Sequence, residues 1–174
     1  ALKELYQKSS LTLFIVSGLL FLLILVNLSE LYELLPKKYS GGFMIVFWIG
    51  LAKVYDALLG NNNSILFSSD YYRSILLFGV LLAVLAIVFN LWLIPTYGID
   101  GAAIASFTAF FIYNTLKLVY VKAKFKIVPF THETWKVFAL LIVVGVLFTT
   151  FSLPFHSIIN ITIKSLLMII TYLG

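Results

Sequence analysis

The stretch NLWLIPTYGIDGAAIAS, residues 90–106, decides the fold because helix-breaking residues stand here between two long apolar runs. The stretch is either an interrupted core helix or a corner that joins two helices. Pro95 has no backbone N–H and disfavours helical geometry in the residue before it, so the first run is predicted to end there. Gly98 tolerates a positive φ, and Asp100 is a good N-cap for a helix that begins at Gly101. The stretch therefore predicts a tight hairpin between two helices.

The composition predicts that these helices lie in a membrane. Hydrophobic residues make up 62% of the chain and charged residues 11%, whereas soluble domains are about half apolar and about a quarter charged. Apolar runs of roughly 17 to 23 residues match the length that a helix needs to cross a hydrocarbon core of about 30 Å. The predicted fold class is an all-α, polytopic transmembrane helical bundle. Its six spans are expected at about 11–28, 42–60, 74–94, 100–121, 137–153 and 157–173.

The basic residues predict the orientation of the bundle. Most lysines and arginines fall in residues 1–10, in the 61–73 loop and in the 122–136 loop with its flanks, whereas Lys37 and Lys38 lie on the other side. By the positive-inside rule those three segments face the cytoplasm, so both ends of this segment are cytoplasmic. The same loops account for the net charge of +5, and nucleic acid is not expected as a partner.

The sequence carries no catalytic motif. It has no cysteine, which excludes thiolate chemistry, disulfides and cysteine metal sites. His132 and His156 fall in loops on opposite sides of the membrane, without the spacing of metal ligands. No catalytic residue, metal or cofactor is predicted.

Ionisable residues inside the spans are the candidate functional residues. Lys53 and Asp56 lie one helical turn apart in the second span. A lone charge in mid-bilayer costs on the order of 3 kcal/mol, so both are expected to face a water-filled cavity or each other. Two interpretations stay open, namely a solute pathway and an intrahelical ion pair with Lys53 extending toward the cytoplasm. Lys164 and Asn160 form a second polar pair, which either lines a pathway or marks a short, tilted or interfacial last span.

Small residues follow the corner at every fourth position, which lets one helix approach another closely in lipid. The pairs are Gly101 and Ala105, Ala102 and Ser106, and Ala105 and Ala109.

Three stretches, NLWLIPTYGIDGAAIAS (90–106), SELYELLPKKYSGG (29–42) and LGNNNSILFSSDYYRS (59–74), together resemble the polysaccharide flippases of the multidrug, oligosaccharidyl-lipid and polysaccharide exporter superfamily. The first matches an asparagine, an LIP, a glycine and a GAA followed by a small hydroxyl residue, although Ser106 stands where the family often has threonine. The other two resemble the preceding loops, in order. The resemblance implies that residues 1–174 are the C-terminal transmembrane lobe of a MATE-like two-lobe transporter. The chain is expected to be cut from a larger polypeptide that includes the N-terminal lobe.

The resemblance also implies a substrate and a mechanism. The transporter would move a lipid-linked oligosaccharide, such as an O-antigen or capsule repeat unit on a polyprenyl carrier, across a bacterial or archaeal cytoplasmic (inner) membrane. Alternating access between the two lobes would use H+ or Na+ as a coupling ion, or the membrane potential, and membrane lipid would surround the bundle. In this interpretation Lys53 binds the carrier pyrophosphate, Asp56 couples the ion, and Lys164 is a third candidate.

Two alternatives remain open. A multidrug or cation antiporter of the same superfamily would rely on a cavity carboxylate rather than a lysine. A membrane enzyme or assembly subunit of polysaccharide biosynthesis would need several acidic or histidine residues at one membrane edge. Asp70, His132 and Glu133 are sparse for that role.

Overall fold

The computed structural model describes residues 2–36, 41–150 and 156–173, and within those ranges the chain is helical, with no strand. The helices are α1 (Leu2–Val26), α2 (Leu28–Leu34), α3 (Phe43–Leu58), α4 (Asn62–Phe67), α5 (Tyr72–Phe125), α6 (His132–Thr149) and α7 (Ser157–Leu173). Three of these helices, α1, α5 and α6, are long and apolar enough to cross a membrane, and α7 is shorter but apolar. The predicted all-α class is confirmed, and the protein is membrane-embedded.

Helix α5 is a hairpin of two antiparallel arms, residues 72–97 and 99–125, joined at Gly98. Its 54 residues are interrupted only by Gly98, with φ 60 and ψ −134, a conformation suited to glycine. Away from the corner, the Ser74 and Tyr120 hydroxyl oxygens lie 2.7 Å apart. Beside the corner, a Cβ added to Gly101 would fall 2.2 Å from the Leu93 carbonyl oxygen. An interrupted straight helix cannot make both contacts, so residues 90–106 form a corner.

The corner differs from its sequence prediction at two residues. The first arm does not end at Pro95, because the helix continues through the proline until Gly98 turns the chain. Proline has no backbone N–H, so the last turn before Gly98 lacks one hydrogen bond. Asp100 is already helical, and in the described part of the chain its carboxylate makes no capping hydrogen bond. The predicted N-cap role is therefore wrong, although a carboxylate in the first turn still complements the helix dipole.

The small residues after the corner are only partly on the buried side of the second arm. Gly101, Ala105 and Ala109 are buried at every fourth position, whereas Ala102 and Ser106 are half-buried. One of the predicted small-residue rows therefore forms the tightly packed face. The other row lies at its edge.

Helices α1 and α2 form an almost continuous helix with a break at Asn27, longer at both ends than the predicted span 11–28. This helix runs antiparallel to α7. The Tyr172 hydroxyl donates to the Ile15 carbonyl oxygen at 3.1 Å, and the Asn27 amide donates to the Ser165 hydroxyl at 3.2 Å. Residues after Asn27, predicted to be a loop, therefore continue along α7.

Helix α3 lies between α1 and the second arm of α5. It is antiparallel to α1, because Ser10 near the start of α1 hydrogen-bonds to the Leu58 carbonyl oxygen at the end of α3, while Phe21 lies against Gly50. Against the second arm of α5 it runs parallel, as two ring pairs show. Trp48 and Phe107 have centroids 4.9 Å apart, and Tyr55 and Phe111 have centroids 4.8 Å apart.

Helices α6 and α7 complete the core on the other side of α1. A cluster of buried side chains joins the three helices: Leu22, Val26, Val144, Phe148, Met168 and Tyr172. Helix α6 begins with a capping box, in which the Thr131 and Thr134 side chains satisfy each other's backbone N–H groups. This start lies five residues before the predicted 137, and predicted residues 151–153 lie outside the described ranges.

Candidate functional site

Lys53 and Asp56 both lie exposed on α3 and do not pair with each other. Within the described ranges, the ion pairs are Glu133 with Lys136 and Glu30 with Lys164. The Lys53 ammonium instead lies 5.3 Å from the centroid of the Phe110 ring on α5, a cation–π contact worth about 0.5–1 kcal/mol when exposed. The ion-pair interpretation of these two residues is therefore wrong. Lys53 also lines a groove of about 230 Å³ between α1 and α3.

Lys117, near the end of the second arm of α5, is buried beside this face. Its side chain is 2% exposed, donates to the Asn63 amide oxygen at 3.0 Å and lies 4.6 Å from the Tyr113 ring centroid. Asp56 acts electrostatically on both Lys117 and Tyr113. Helix α4, in a segment predicted to be a loop, supplies Asn63 and so covers the lysine.

Asn114 adds a buried amide to the same side of α5. It is fully buried, and neither its amide nitrogen nor its amide oxygen has a hydrogen-bond partner within the described residues. The spacing of four and three residues places Phe110, Asn114 and Lys117 on one helix face. We call Lys53, Asp56, Asn63, Asn114 and Lys117 the α3–α5 strip. It combines two ammonium groups, a carboxylate and an amide with unused hydrogen-bonding capacity.

Replacement of Asn114 by leucine is expected to raise the free energy of unfolding by about 1–3 kcal/mol, because it removes a buried amide that lacks partners. Thermal unfolding of the purified protein in detergent checks this expectation. A lower unfolding temperature would mean that the amide has a partner in the membrane. Asn90 is the matched control, because its amide already donates to the Ala86 carbonyl oxygen at 2.7 Å. Asn90→Leu is therefore expected to raise the free energy of unfolding by less than Asn114→Leu.

Lys164 and Asn160 belong to a different polar region, at the contact between α2 and α7. The Lys164 ammonium hydrogen-bonds to a carboxylate oxygen of Glu30, and the two residues are 5% and 9% exposed. Asn160 is buried one turn before Lys164, and Asn27 contacts Ser165. We call Asn27, Glu30, Asn160, Lys164 and Ser165 the α2–α7 cluster. Helix α7, which carries Lys164 and Asn160, packs against α1, α2 and α6. These two residues therefore do not lie together with Lys53 and Asp56 of α3.

Glu30 is one of the residues that sequence reasoning missed. It lies in SELYELL ahead of Pro36, which suggested a loop. One signal in the sequence could have found it. Glu30 follows Asn27 by three residues, so in a continued helix the two polar side chains share one face.

The described residues contain no group of three or more histidines, cysteines, aspartates or glutamates able to hold a metal ion. His132 begins α6, and His156 directly precedes α7. Comparison with protein families, with curated proteins and with solved structures finds no match to this chain.

Proposed function

We propose that the chain is the C-terminal lobe of a transporter that flips a lipid-linked oligosaccharide across the cytoplasmic membrane of a bacterium or archaeon. The observation that carries this proposal is the exposure of Lys53 and Asp56, unpaired with each other, in an apolar helix. Charges in the interior of a membrane are costly and almost always face a bundle interior or a water-filled cavity. An aqueous cavity between this face of α3 and a second lobe meets that requirement.

The α3–α5 strip has groups suited to such a substrate. Exposed Lys53 offers positive charge to the pyrophosphate of a polyprenyl carrier, and charge-assisted hydrogen bonds to phosphate are the strong kind. Lys117 is buried and adds positive charge from behind this face. Asp56 is the candidate carboxylate for H+ or Na+ coupling. The exposed apolar side chains of the first arm of α5, among them Leu77 and Leu91, suit membrane lipid.

The proposal includes six membrane spans with both ends of this segment cytoplasmic. The spans are α1 with α2, α3, each arm of α5, α6 and α7. The antiparallel contacts of α1 with α3 and of the two α5 arms support the alternation of direction. The positive-inside rule then assigns residues 61–73 and 122–136 to the cytoplasm.

In cells that lack their own flippase, Lys53→Gln in the full-length protein is expected to reduce glycan in the outer leaflet by about 10-fold or more, the effect of one charge-assisted hydrogen bond. Glycan exposed at the cell surface is the readout, with expression at the membrane measured in parallel. Lys122→Gln removes the same charge from an exposed residue beyond the strip and is expected to retain export. Intact export by Lys53→Gln at normal expression would remove Lys53 from the mechanism.

A multidrug or cation antiporter is the second candidate, because Asp56 and the Phe110 ring beside Lys53 offer a carboxylate and an aromatic face to an organic cation. Transport by the wild type separates the two functions, and Asp56→Asn tests the role of the carboxylate in either one. A cation exporter would lose drug resistance with this variant and would never support glycan export.

A further inference from the structure

A pocket of about 330 Å³ lies at the end of the bundle opposite the Gly98 corner. The start of α1, the helix α4 with the residues that flank it, and the end of α5 form its walls. Part of the lining is apolar and includes Leu2 and Leu5 of α1, which are 50% and 66% exposed. Hydroxyl and amide groups supply the polar part, from Asn61, Ser64, Ser68 and Ser69. The pocket therefore offers hydrogen-bonding groups next to an exposed apolar surface.

Tyr71 connects this pocket to a lysine. Its backbone N–H donates to the Ser69 hydroxyl oxygen at 3.2 Å, and its ring centroid lies 5.8 Å from that of Phe125. Both Ser69 and Phe125 line the pocket. The Lys124 ammonium lies 5.0 Å from the centroid of the Tyr71 ring and 5.9 Å from that of the Tyr120 ring. The two tyrosine rings therefore hold the ammonium beside the pocket.

The charge of Lys124 is available to a ligand. The side chain is exposed, and in the described part of the chain the ion pairs are formed by residues other than Lys124. An ammonium group has three N–H donors and no acceptor. A cation–π contact at an exposed site compensates only a small part of the charge. Lys124 can therefore bind an anion while the two rings fix its position.

The surroundings of the pocket carry an excess of positive charge. Residues 2–10, 61–73 and 122–126 together hold six basic and two acidic side chains. All eight of these side chains are exposed. A surface of one sign attracts ligands of the opposite sign. Charge complementarity therefore selects an anion as the ligand.

The length of α5 places the pocket at a membrane surface. Each arm of the hairpin has roughly 26 residues and is about 39 Å long, whereas the hydrocarbon core is about 30 Å thick. The open end of the hairpin, with Tyr71, Tyr120 and Lys124, therefore reaches the headgroup region, where tyrosine is enriched. The anions of that region are lipid phosphates, and basic clusters directly outside a membrane helix recognise anionic lipids.

We propose that the pocket binds one anionic phospholipid, such as phosphatidylglycerol, from the surrounding leaflet. Lys124 binds the phosphate, the hydroxyl groups of the pocket hydrogen-bond to the headgroup, and Leu2 and Leu5 contact the start of the acyl chains. Tyr71 is a positioning residue, because it holds the ammonium beside the pocket. A zwitterionic lipid binds less well, since its own cation is repelled by Lys124. The site depends on the membrane embedding of the chain and not on the proposed flippase activity.

Native mass spectrometry of the full-length protein in detergent tests the site by counting the phospholipids that stay bound during titration with phosphatidylglycerol. A solution of about 0.3 M ammonium acetate shortens the Debye length to about 6 Å and so weakens general attraction to basic side chains. Wild type is expected to bind at least one phosphatidylglycerol saturably, and phosphatidylcholine about 10-fold more weakly. Lys124→Gln is expected to weaken the binding of phosphatidylglycerol by about 10-fold, the effect of one charge-assisted hydrogen bond.

Lys122→Gln is the matched control for the charge. Lys122 is equally exposed on the same arm, but a spacing of two residues puts it on the other side of the helix from Lys124. This variant is expected to change the dissociation constant by less than about 2-fold at this salt concentration. Both lysines are exposed, so neither substitution removes a buried contact.

Two substitutions of Tyr71 test the positioning role. Tyr71→Leu removes the ring that holds Lys124 and is expected to weaken the binding of phosphatidylglycerol by about 3-fold. Tyr71→Phe keeps the ring and is expected to bind as the wild type does. Equal losses for the two variants would exclude the cation–π contact as the cause.

Three results would overturn the site: wild-type binding by Lys124→Gln, equal losses for Lys122→Gln and Lys124→Gln, or equal retention of phosphatidylcholine and phosphatidylglycerol. Displacement of the lipid by inorganic phosphate at millimolar concentration would also overturn it, because free phosphate would then be the ligand. None of these readouts involves glycan, so a failure of the lipid site and a failure of the flippase proposal are distinguishable.

Discussion

Replacement of Glu30 by alanine is expected to lower the free energy of unfolding by about 3–5 kcal/mol, because the Lys164 ammonium is left buried without a counter-charge. The two residues contact each other across α2 and α7, with 9% and 5% of their surfaces exposed. The Coulomb attraction of a buried pair mainly offsets the cost of removing both charges from water. Loss of one partner therefore exposes the full cost of burying the other.

Thermal unfolding of the purified protein in detergent, at a pH where lysine is charged, measures this effect. Glu33→Ala is the matched control, because Glu33 is on the same short helix and also contacts α7, yet it is exposed. Glu33→Ala is expected to lower the free energy of unfolding by at most about 1 kcal/mol. The double variant Glu30→Leu with Lys164→Met should regain most of the loss, since apolar replacement of a buried pair is often neutral. An equal loss for Glu30→Ala and Glu33→Ala would show that the pair is not buried in the membrane.

Gly101→Ala is expected to lower the free energy of unfolding by about 3 kcal/mol, at the upper end of overpacking effects. The added Cβ would lie 2.2 Å from the carbonyl oxygen and 2.7 Å from the carbonyl carbon of Leu93. These are backbone atoms, so no side-chain rotation relieves the contact. The two arms of α5 must separate at the corner, which loosens the contacts along both arms.

Gly79→Ala in the first arm is the control for this prediction. An added Cβ at Gly79 meets nothing within 4 Å. Because alanine favours helix over glycine by about 1 kcal/mol, this variant should be as stable as the wild type or slightly more stable. If Gly101→Ala unfolds at the same temperature as Gly79→Ala, the arms are not in contact near the corner.

The hairpin could be predicted because its signals are local. A proline, a glycine and an aspartate within a few residues, between apolar runs, indicate a corner whatever surrounds them. Their individual roles were less predictable. The helix continues past Pro95 because only Gly98 has the positive φ that turns the chain, and Asp100 already lies within the next helix.

The candidate sites could be predicted only in part, since side-chain partners come from distant segments. Lys53 and Asp56 are one turn apart, which suggests an ion pair, yet the Phe110 ring of α5 lies beside Lys53 and the pair does not form. Lys117 is covered by Asn63 of α4, a helix that polar loop composition conceals. No periodicity in the sequence connects Glu30 with Lys164.

The separation of Glu30 from Lys164 also affects biogenesis. The partners are 134 residues apart in sequence, so at the usual rate of protein synthesis the carboxylate precedes its lysine by on the order of 10 s. The arms of α5 can associate as soon as both have left the ribosome, whereas α2 has no counter-charge until α7 is made. The buried Glu30–Lys164 pair therefore forms only after α7 has been made, and a nascent chain that ends before residue 164 holds Glu30 without its counter-charge.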